Sequence, residues 1–286
     1  KYGNAASIHH SFGHEAKEAV EISRKIIAKE LNASAREIVF TSGATESINL
    51  AIKGVSEKFK AKGRHIITQV TEHNAVLDTC SALEKRGWEI TKLPVQQDGR
   101  IDPKLIEDAI RKDTVLVTIM HANNEIGVIQ PVREIGEICK HHDVYFLVDA
   151  CQSFAKISVD AQEINIDLLA FTAHKIYGPQ GIGALFINKK NPPVELELQL
   201  DGGGHERGFR SGTLPVALIV GFGKAVELCS RDRDSENKRL KQYRDQLIDD
   251  IITAHTDVIL NGSREKRLSN NLNLCFPGIE AETLIM

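Results

Sequence analysis

Short runs of apolar residues alternate along this chain with longer segments whose apolar positions recur at helical spacing. The short runs predict β-strands at residues 38–40, 65–69, 88–95, 114–120, 144–148, 168–172 and 183–188. The longer segments predict helices at about 46–60, 74–86, 103–111 and 131–141. Apolar strands that alternate with helices form mostly parallel sheets covered on both faces. The pattern therefore predicts an α/β fold, in which ligands bind beyond the carboxyl ends of the strands.

The pattern changes after Pro215. An apolar helical segment at 216–228 runs into a charged segment that continues to about His255, and short strands are predicted at 258–260 and 271–276. We predict a domain boundary near Asp234, inside or beside a long connecting helix. The large domain is thus predicted at residues 1–233, and the beginning of a smaller α+β C-terminal domain at 234–286.

Composition excludes several classes of protein. The 286 residues are 42% hydrophobic and 26% charged, which is typical of a globular chain and not of a disordered or fibrous one. Basic and acidic residues number 36 and 39, a net charge of −3, so nothing indicates binding to nucleic acid or to an anionic membrane. No apolar run reaches the ~18 residues of a membrane-spanning helix.

The cysteines and histidines do not indicate a metal site. The five cysteines are widely spaced and form no CxxC pair, which argues against a thiolate zinc site and against a disulfide framework. His10 and His14 share a helical spacing but have no obvious third ligand, so we predict no bound metal. Reduced thiols are typical of the cytoplasm, which we predict as the compartment.

The segment at 41–47, with the sequence TSGATES, follows a predicted strand and opens a predicted helix. Its small residues let the backbone approach a bound group, and a helix start offers N–H donors and a partial positive charge. It could therefore hold a phosphate, although it lacks the Gly-Lys-Ser/Thr ending of a Walker loop. Taken alone, the segment is better explained as an ordinary helix start, capped by Thr41, Ser42 or Thr45.

Two further residues lie where predicted strands end. Asp149 ends an apolar strand, and a buried carboxylate there needs a positive partner such as a protonated pyridine nitrogen. Capping of the following segment explains Asp149 equally well. Lys175 follows the next strand and precedes a glycine-rich turn, so its amine could form an imine with a cofactor aldehyde. Most loop lysines are merely solvated, and only its neighbours set Lys175 apart.

The combination of these features is more specific than any one of them. Thr172 and His174 flank Lys175 with donors suited to a phosphate, and a second glycine-rich loop follows at 202–213. A phosphate cradle, a carboxylate for a ring nitrogen and an amine for an aldehyde together indicate a pocket for pyridoxal 5'-phosphate.

The chain resembles the IscS/NifS-type cysteine desulfurases, which are class V, fold-type I enzymes that depend on pyridoxal 5'-phosphate. The resemblance covers essentially the whole chain and rests on the segments 41–47 (TSGATES), 71–73 (TEH), 120–127 (MHANNEIG), 149–152 (DACQ), 174–179 (HKIYGP) and 202–213 (GGGHERGFRSGT). It implies a large domain with a mostly parallel sheet of the seven-stranded type. It also implies removal of sulfur from L-cysteine to give L-alanine and a protein-bound persulfide, for iron–sulfur cluster assembly and other sulfur-transfer pathways.

The resemblance implies roles for the residues around the cofactor ring. Lys175 would bind the cofactor covalently and shuttle protons, and His73 would stack on the ring and act as an acid–base catalyst. Asp149 would pair with the ring nitrogen and Gln152 with the phenolic oxygen. Asn124 would lie close to that oxygen and to the substrate carboxylate.

The resemblance also implies how the phosphate is held and which partners the protein has. Ala44 and Thr45 would bind the phosphate together with Thr172 and His174. Thr213 would reach the phosphate of the other subunit, which implies a homodimer. The implied protein partners are an iron–sulfur scaffold and other sulfur acceptors.

The cysteines complete the expectations from the resemblance. Cys151 stands where threonine is common and is expected to fill space, and Cys275 lies in a predicted strand and is expected in the core. The chain starts without methionine, and we expect both termini of a longer protein to be missing. The family's nucleophilic cysteine is expected beyond Met286, on a mobile loop. The 286-residue chain is then expected to bind the cofactor without completing sulfur transfer.

Three other functions stay open from the sequence. The same pocket suits a selenocysteine lyase, or another class V enzyme such as an aminotransferase. A third alternative is a non-catalytic docking partner in sulfur relay, although a binding module has no need of a complete lysine and aspartate pocket.

Overall fold

The structure, a computed structural model, describes residues 3–7, 9–189 and 193–285. The strands of its main sheet are β1 (Ile38–Thr41), β2 (His65–Gln69), β3 (Glu89–Leu93), β4 (Thr114–Met120), β5 (Tyr145–Asp149), β6 (Leu168–Thr172) and β7 (Gly183–Ile187). They pair in the order β1-β7-β6-β5-β4-β2-β3. The strands β2 to β6 are parallel to their neighbours in that set, whereas β7 runs antiparallel to both β1 and β6. The predicted α/β fold with a mostly parallel, seven-stranded sheet is confirmed.

Helices cover both faces of this sheet. Within the described residues they are α1 (Ser11–Glu30), α2 (Ala44–Phe59), α3 (Asn74–Glu84), α4 (Pro103–Ala109), α5 (Val132–His141), α6 (Val216–Ala254) and α7 (Ala281–Ile285). On one face, Ile27 of α1 and Phe222 of α6 belong to the same buried cluster as Phe171 of β6. On the other face, Ile52 of α2 is clustered with Leu147 of β5. Because successive strand residues point to opposite faces, the apolar side chains of these strands belong to both clusters.

Helix α6 connects the main sheet to the last part of the chain. It is a single helix of 39 residues that passes through Asp234, where the sequence predicts the domain boundary. Beyond it, β8 (Ile259–Leu260) and β9 (Leu274–Cys275) form a small antiparallel pair. Arg244 of α6 donates to the Leu268 carbonyl oxygen at 3.0 Å, which ties this part to the helix. The division into domains at residues 233 and 234 stays a prediction.

The strand predicted at 271–276 is shorter in the structure, and one expectation about it is wrong. The side-chain amide of Asn271 donates to the Glu125 carbonyl oxygen at 2.9 Å, so this end of the run contacts a loop and does not extend β9. Cys275 is exposed, whereas we expected it in the core. It pairs with Ile259, which is itself 55% exposed, so within the described residues both members of this strand pair are open to solvent.

The described ranges contain α-helices of 5 to 39 residues. Not one of the helices there combines the length with the apolar character that a bilayer crossing requires.

Candidate active site

A cavity of about 490 Å³ lies where β4, β5 and β6 end. The predicted residues in its wall are Ala44, Thr45, His73, Asn124, Asp149, Gln152, Thr172, His174 and Lys175. The structure therefore brings together all the predicted site residues except Thr213. Thr213 is exposed in the loop before α6 and lies outside this wall.

The start of α2 forms one side of the cavity, and its cap differs from the predicted one. Gly43 is the N-cap residue, and no side chain caps the helix. The Thr41 hydroxyl instead donates to the Gly43 carbonyl oxygen at 3.0 Å and lies 2.8 Å from Ser47 Oγ. The first-turn N–H groups at Ala44 and Thr45 therefore have no side-chain cap, which leaves the positive end of the helix available to an anion.

An ion pair links the start of α2 to the second glycine-rich loop. Arg210 Nε lies 2.8 Å from Glu46 Oε1, and the Ser42 N–H donates to Glu46 Oε2 at 2.7 Å. Burial alone would raise the pKa of Glu46, but the hydrogen bonds from Arg210 and Ser42 lower this pKa overall. Glu46 thus stays ionised and connects the two loops that the sequence predicts to hold phosphate.

Asp149 lies at the carboxyl end of β5 and is only 4% exposed. Its Oδ1 accepts the Cys151 N–H at 2.9 Å. Burial raises the pKa of Asp149, and the hydrogen bond from Cys151 opposes this shift only in part. Across the described ranges, no lysine or arginine lies in ion-pair contact with Asp149. As far as the described ranges extend, the site thus holds a buried acid that is not paired with a lysine or an arginine.

Lys175 follows β6 in a short 3₁₀ helix, Ala173–Ile176. Its side chain is exposed to the cavity. Beside it, the Thr172 hydroxyl donates to the Ile182 carbonyl oxygen at 3.1 Å and lies 3.1 Å from His174 Nδ1. Burial and the nearby Lys175 lower the pKa of His174. An amine, a hydroxyl and an imidazole therefore lie together at the end of one strand.

His73 caps α3 at another side of the cavity. Its Nδ1 accepts the Ala75 N–H at 3.0 Å, so the neutral ring carries its proton on Nε2. Asn124 lies nearby on a loop that Asn123 shapes from within. Asn123 Nδ2 donates to the Thr71 carbonyl oxygen at 3.0 Å, which joins the Asn124 loop to the His73 segment.

Several residues that line or shape the cavity were not singled out as site residues from the sequence, although most of them lie in the segments 41–47 and 120–127. Additional residues in the wall are Ser42, Gly43, Glu46, Met120, Ala122, Gln180 and Gly181. Met120 ends β4, so the strand-end rule that identified Asp149 could have found it. No local pattern distinguishes Glu46 or Asn123, because their partners are distant in the sequence or lie in the backbone.

Cys151 also lies in the cavity wall. Its pKa is raised well above the usual thiol range, first by burial and then by the neighbouring Asp149 carboxylate. The thiol is therefore protonated at neutral pH and a weak nucleophile.

The cavity residues fit pyridoxal 5'-phosphate by their chemistry. A buried carboxyl without a cationic partner suits a protonated ring nitrogen, and the uncapped start of α2 with the Thr172 hydroxyl suits a phosphate. Lys175 supplies an amine on the same cavity, and about 490 Å³ is in the range of small-molecule sites.

A profile of the family described as aminotransferase class-V matches residues 1–286. The chain therefore belongs to the class-V aminotransferase family. Relatives with assigned names show to which type within class V the chain belongs. The chain is 50% identical over 286 residues to "Cysteine desulfurase IscS" of Ehrlichia chaffeensis and 52% identical over 285 residues to that of Actinobacillus succinogenes. Within class V it belongs to the IscS-type cysteine desulfurases, which confirms the predicted resemblance.

Each of these two alignments covers all of this chain and 70% of the relative. Solved structures agree with them. A "NIFS-LIKE PROTEIN" superposes with a TM-score of 0.94 at 38% identity, covering 99% of this chain and 76% of that one. "SspA in complex with cysteine" superposes with a TM-score of 0.84 at 40% identity, covering 96% and 76%.

Proposed function

We propose that this protein removes the sulfur of L-cysteine and releases L-alanine, with pyridoxal 5'-phosphate as its cofactor. The observation that carries the proposal is that Lys175 and Asp149 line one cavity, next to the uncapped start of α2. Identity of about 50% to proteins named as cysteine desulfurases supports the choice of reaction.

The residues around the ring divide the chemistry between them. Pyridoxal 5'-phosphate, when bound, supplies an aldehyde that bonds to amines and a ring that withdraws electrons. The Lys175 amine would hold the cofactor through that aldehyde and, when free, would move the proton at the substrate Cα. The Asp149 carboxylate would accept a hydrogen bond from the ring nitrogen and keep that nitrogen protonated. His73 offers its Nε2 proton beside the substrate.

The remaining residues orient the two ligands. The backbone of Ala44 and Thr45, the Thr172 hydroxyl and the His174 ring hold the phosphate group. Gln152 would bind the phenolic oxygen through its side-chain amide, and Asn124 would lie close to that oxygen and to the substrate carboxylate.

Sulfur transfer requires a thiolate that attacks the substrate sulfur. An S–S bond forms while the C–S bond breaks, and the electron pair of the broken bond stays with the carbon that becomes the alanine methyl group after protonation. Among the cysteines in the described part of the chain, Cys151 alone lines the cavity. Because its thiol is protonated, we infer that sulfur transfer uses another thiol and that this 286-residue chain stops before that step.

The experiment is an absorbance spectrum of the protein with pyridoxal 5'-phosphate, before and after L-cysteine. We expect an absorbance band that L-cysteine alters, and a borohydride-stable adduct that K175A lacks. An adduct retained in K175A, or a band that L-cysteine leaves unchanged, would contradict the proposed function. Release of more than one equivalent of L-alanine per chain would contradict only the inferred need for another thiol.

The proposal extends to the partners and compartment of the protein. The position of Thr213, exposed and outside the cavity wall, fits a residue that serves the site of a partner subunit in a homodimer. The persulfide would pass to an iron–sulfur scaffold or another acceptor protein. Five free thiols suit a reducing compartment such as the cytoplasm.

A further inference from the structure

Two cavities are lined by the turns that follow β5. Gln152 lines the first, which is the candidate active site. Lys156 lines the second, a cavity of about 360 Å³ between these turns and helix α6. Lys156 Nζ donates to Gln152 Oε1 at 3.1 Å. A residue outside the wall of the active-site cavity thus contacts one that lines it.

The backbone holds Lys156 firmly in this position. Ala155, which precedes it, is buried in a left-handed conformation with φ 58°. The Lys156 N–H donates to the Ser153 carbonyl oxygen at 3.0 Å, and its own carbonyl oxygen accepts from Asn237 Nδ2 of α6 at 2.7 Å. The Ser269 hydroxyl donates to Asn237 Oδ1 at 2.6 Å. Three segments of the chain therefore determine where the Lys156 side chain begins.

The bond from Lys156 selects one orientation of the Gln152 amide. An ammonium group only donates, whereas a glutamine amide has an oxygen that accepts and a nitrogen that donates. With Oε1 facing Lys156, the N–H₂ group is the part left to face the cavity. Without the lysine, the amide is free to present its oxygen instead.

Titratable groups of both cavities and of α6 surround Lys156. Burial and the Lys175 ammonium lower the pKa of Lys156, whereas Cys229 and Cys151 raise it. The charged groups that line the second cavity from α6 are Asp232, Arg233 and Glu236.

We propose that Lys156 is a positioning residue, which turns the Gln152 amide so that its N–H₂ group donates into the active-site cavity. This inference rests on the proposed function, because the acceptor would be the phenolic oxygen of pyridoxal 5'-phosphate. A donor at that oxygen favours its ionised form. The lysine thereby tunes the cofactor without contacting it.

The test follows the absorbance of the bound cofactor as a function of pH. K156M removes the donor but keeps a chain of similar length, and we expect the pH midpoint of the absorbance change to rise by about one unit, the effect of one lost hydrogen bond to a charged group. K156R keeps a donor, and the second cavity has room for the larger side chain. Its pH midpoint should therefore lie close to that of the wild type. K140M, at an exposed lysine, should leave the midpoint unchanged.

A double variant separates orientation from simple charge. If Lys156 acts through Gln152, then K156M adds no further shift to Q152A. If the shift from K156M adds in full to that from Q152A, the proposal is overturned in favour of a direct electrostatic effect of the ammonium group. A K156M protein with the pH midpoint of the wild type would overturn it as well, because Lys156 would then have no effect on the cofactor. Failure of the proposed function is distinct, because the wild-type protein would then show no Lys175-dependent band. Far-UV circular dichroism checks that each variant folds.

Discussion

At the scale of single residues, two carboxyl groups near strand ends are held partly out of water. Asp149 ends β5 inside the candidate active site. Asp167 precedes β6, is half-buried, and accepts the Phe146 N–H at 2.8 Å. Burial raises the pKa of both. An acid whose pKa is higher in the folded state than in the unfolded state destabilises the fold as the pH rises.

We expect D149N to have opposite effects on the cofactor-free and cofactor-bound protein. Without cofactor, the variant should unfold at a higher temperature at neutral pH, because it removes a buried charge that lacks a cation. With pyridoxal 5'-phosphate, it should bind at least tenfold more weakly, since a hydrogen bond to a charged group contributes about 1.5–3 kcal/mol. Melting temperatures with and without the cofactor test both effects. If the cofactor raised the melting temperature of the wild type and of D149N equally, this result would contradict the role of Asp149.

Asp167 makes a separate prediction about pH. Its pKa is raised to about 6, chiefly by burial, so the ionisation of Asp167 makes the folded state less stable as the pH rises from about 4 to about 6. The expected loss is about 2 kcal/mol, allowing for partial solvent contact. Urea unfolding at several pH values should show this slope for the wild type and a flatter profile for D167N. D250N, at an exposed position, is the control and should keep the wild-type slope.

At the scale of elements, the second glycine-rich loop is held against α1 and β1. Glu206 is 5% exposed and Arg24 is 2% exposed. Two hydrogen bonds join their side chains, at 2.6 and 2.7 Å, and Glu206 Oε2 also accepts the Phe40 N–H at 2.7 Å. With the Arg210–Glu46 pair, this anchors the loop that carries Thr213 to α1, to β1 and to the start of α2.

Removing one partner of the buried pair should be costly. We expect E206A to lower the free energy of unfolding by about 3 kcal/mol, because it removes the buried carboxylate partner of Arg24 and leaves only the half-exposed Glu21, whose Oε1 lies 3.0 Å from Arg24 Nε. The double variant R24M/E206M should lose much less than the sum of the two single variants, as a denaturant-based double-mutant cycle would show. E163A breaks the exposed Arg133–Glu163 pair and should change little. Additive losses would show that Arg24 and Glu206 do not act as a pair.

At the scale of the whole molecule, the proposed homodimer makes each site depend on two chains. Thr213 is exposed and outside the cavity of its own chain. If Thr213 binds the phosphate in the partner's site, then a dimer of two different variant chains should contain one complete site, although neither variant forms a complete site in its own homodimer.

The prediction uses K175A and T213A chains coexpressed with different tags. In a mixed dimer, the T213A chain keeps Lys175 and receives Thr213 from its K175A partner. We expect this dimer to bind about half an equivalent of cofactor per chain as a borohydride-stable adduct, because one of its two sites is complete. The affinity of that site should be close to that of the wild type. The T213A homodimer should bind more weakly. A mixed dimer no better than the T213A homodimer would place the action of Thr213 within its own chain.

Much of this architecture was predictable because its signals are local. Apolar runs at 114–120 and 168–172 identify buried strands, and Asp149 and Lys175 follow from the rule that ligands bind where such strands end. The cap of α2 was not predictable, because three hydroxyl residues compete for it and the Thr41 hydroxyl bonds instead to the Gly43 carbonyl oxygen and to Ser47. Likewise, the exposure of Cys275 depends on which layer covers its strand and not on the apolar run around it.

The amino-acid sequence alone determined the alternation of strands and helices, the fold class and the residues that make the chemistry possible. Periodicity and strand ends are properties of neighbouring residues, so they can be read directly. Only the tertiary structure decided that Asp149 and Lys175 share one cavity, that Arg24 pairs with Glu206 and that Lys156 contacts Gln152 from a second cavity. The two ion-pair partners are 182 residues apart in the chain, and only the packing of helices against the sheet brings such side chains into contact.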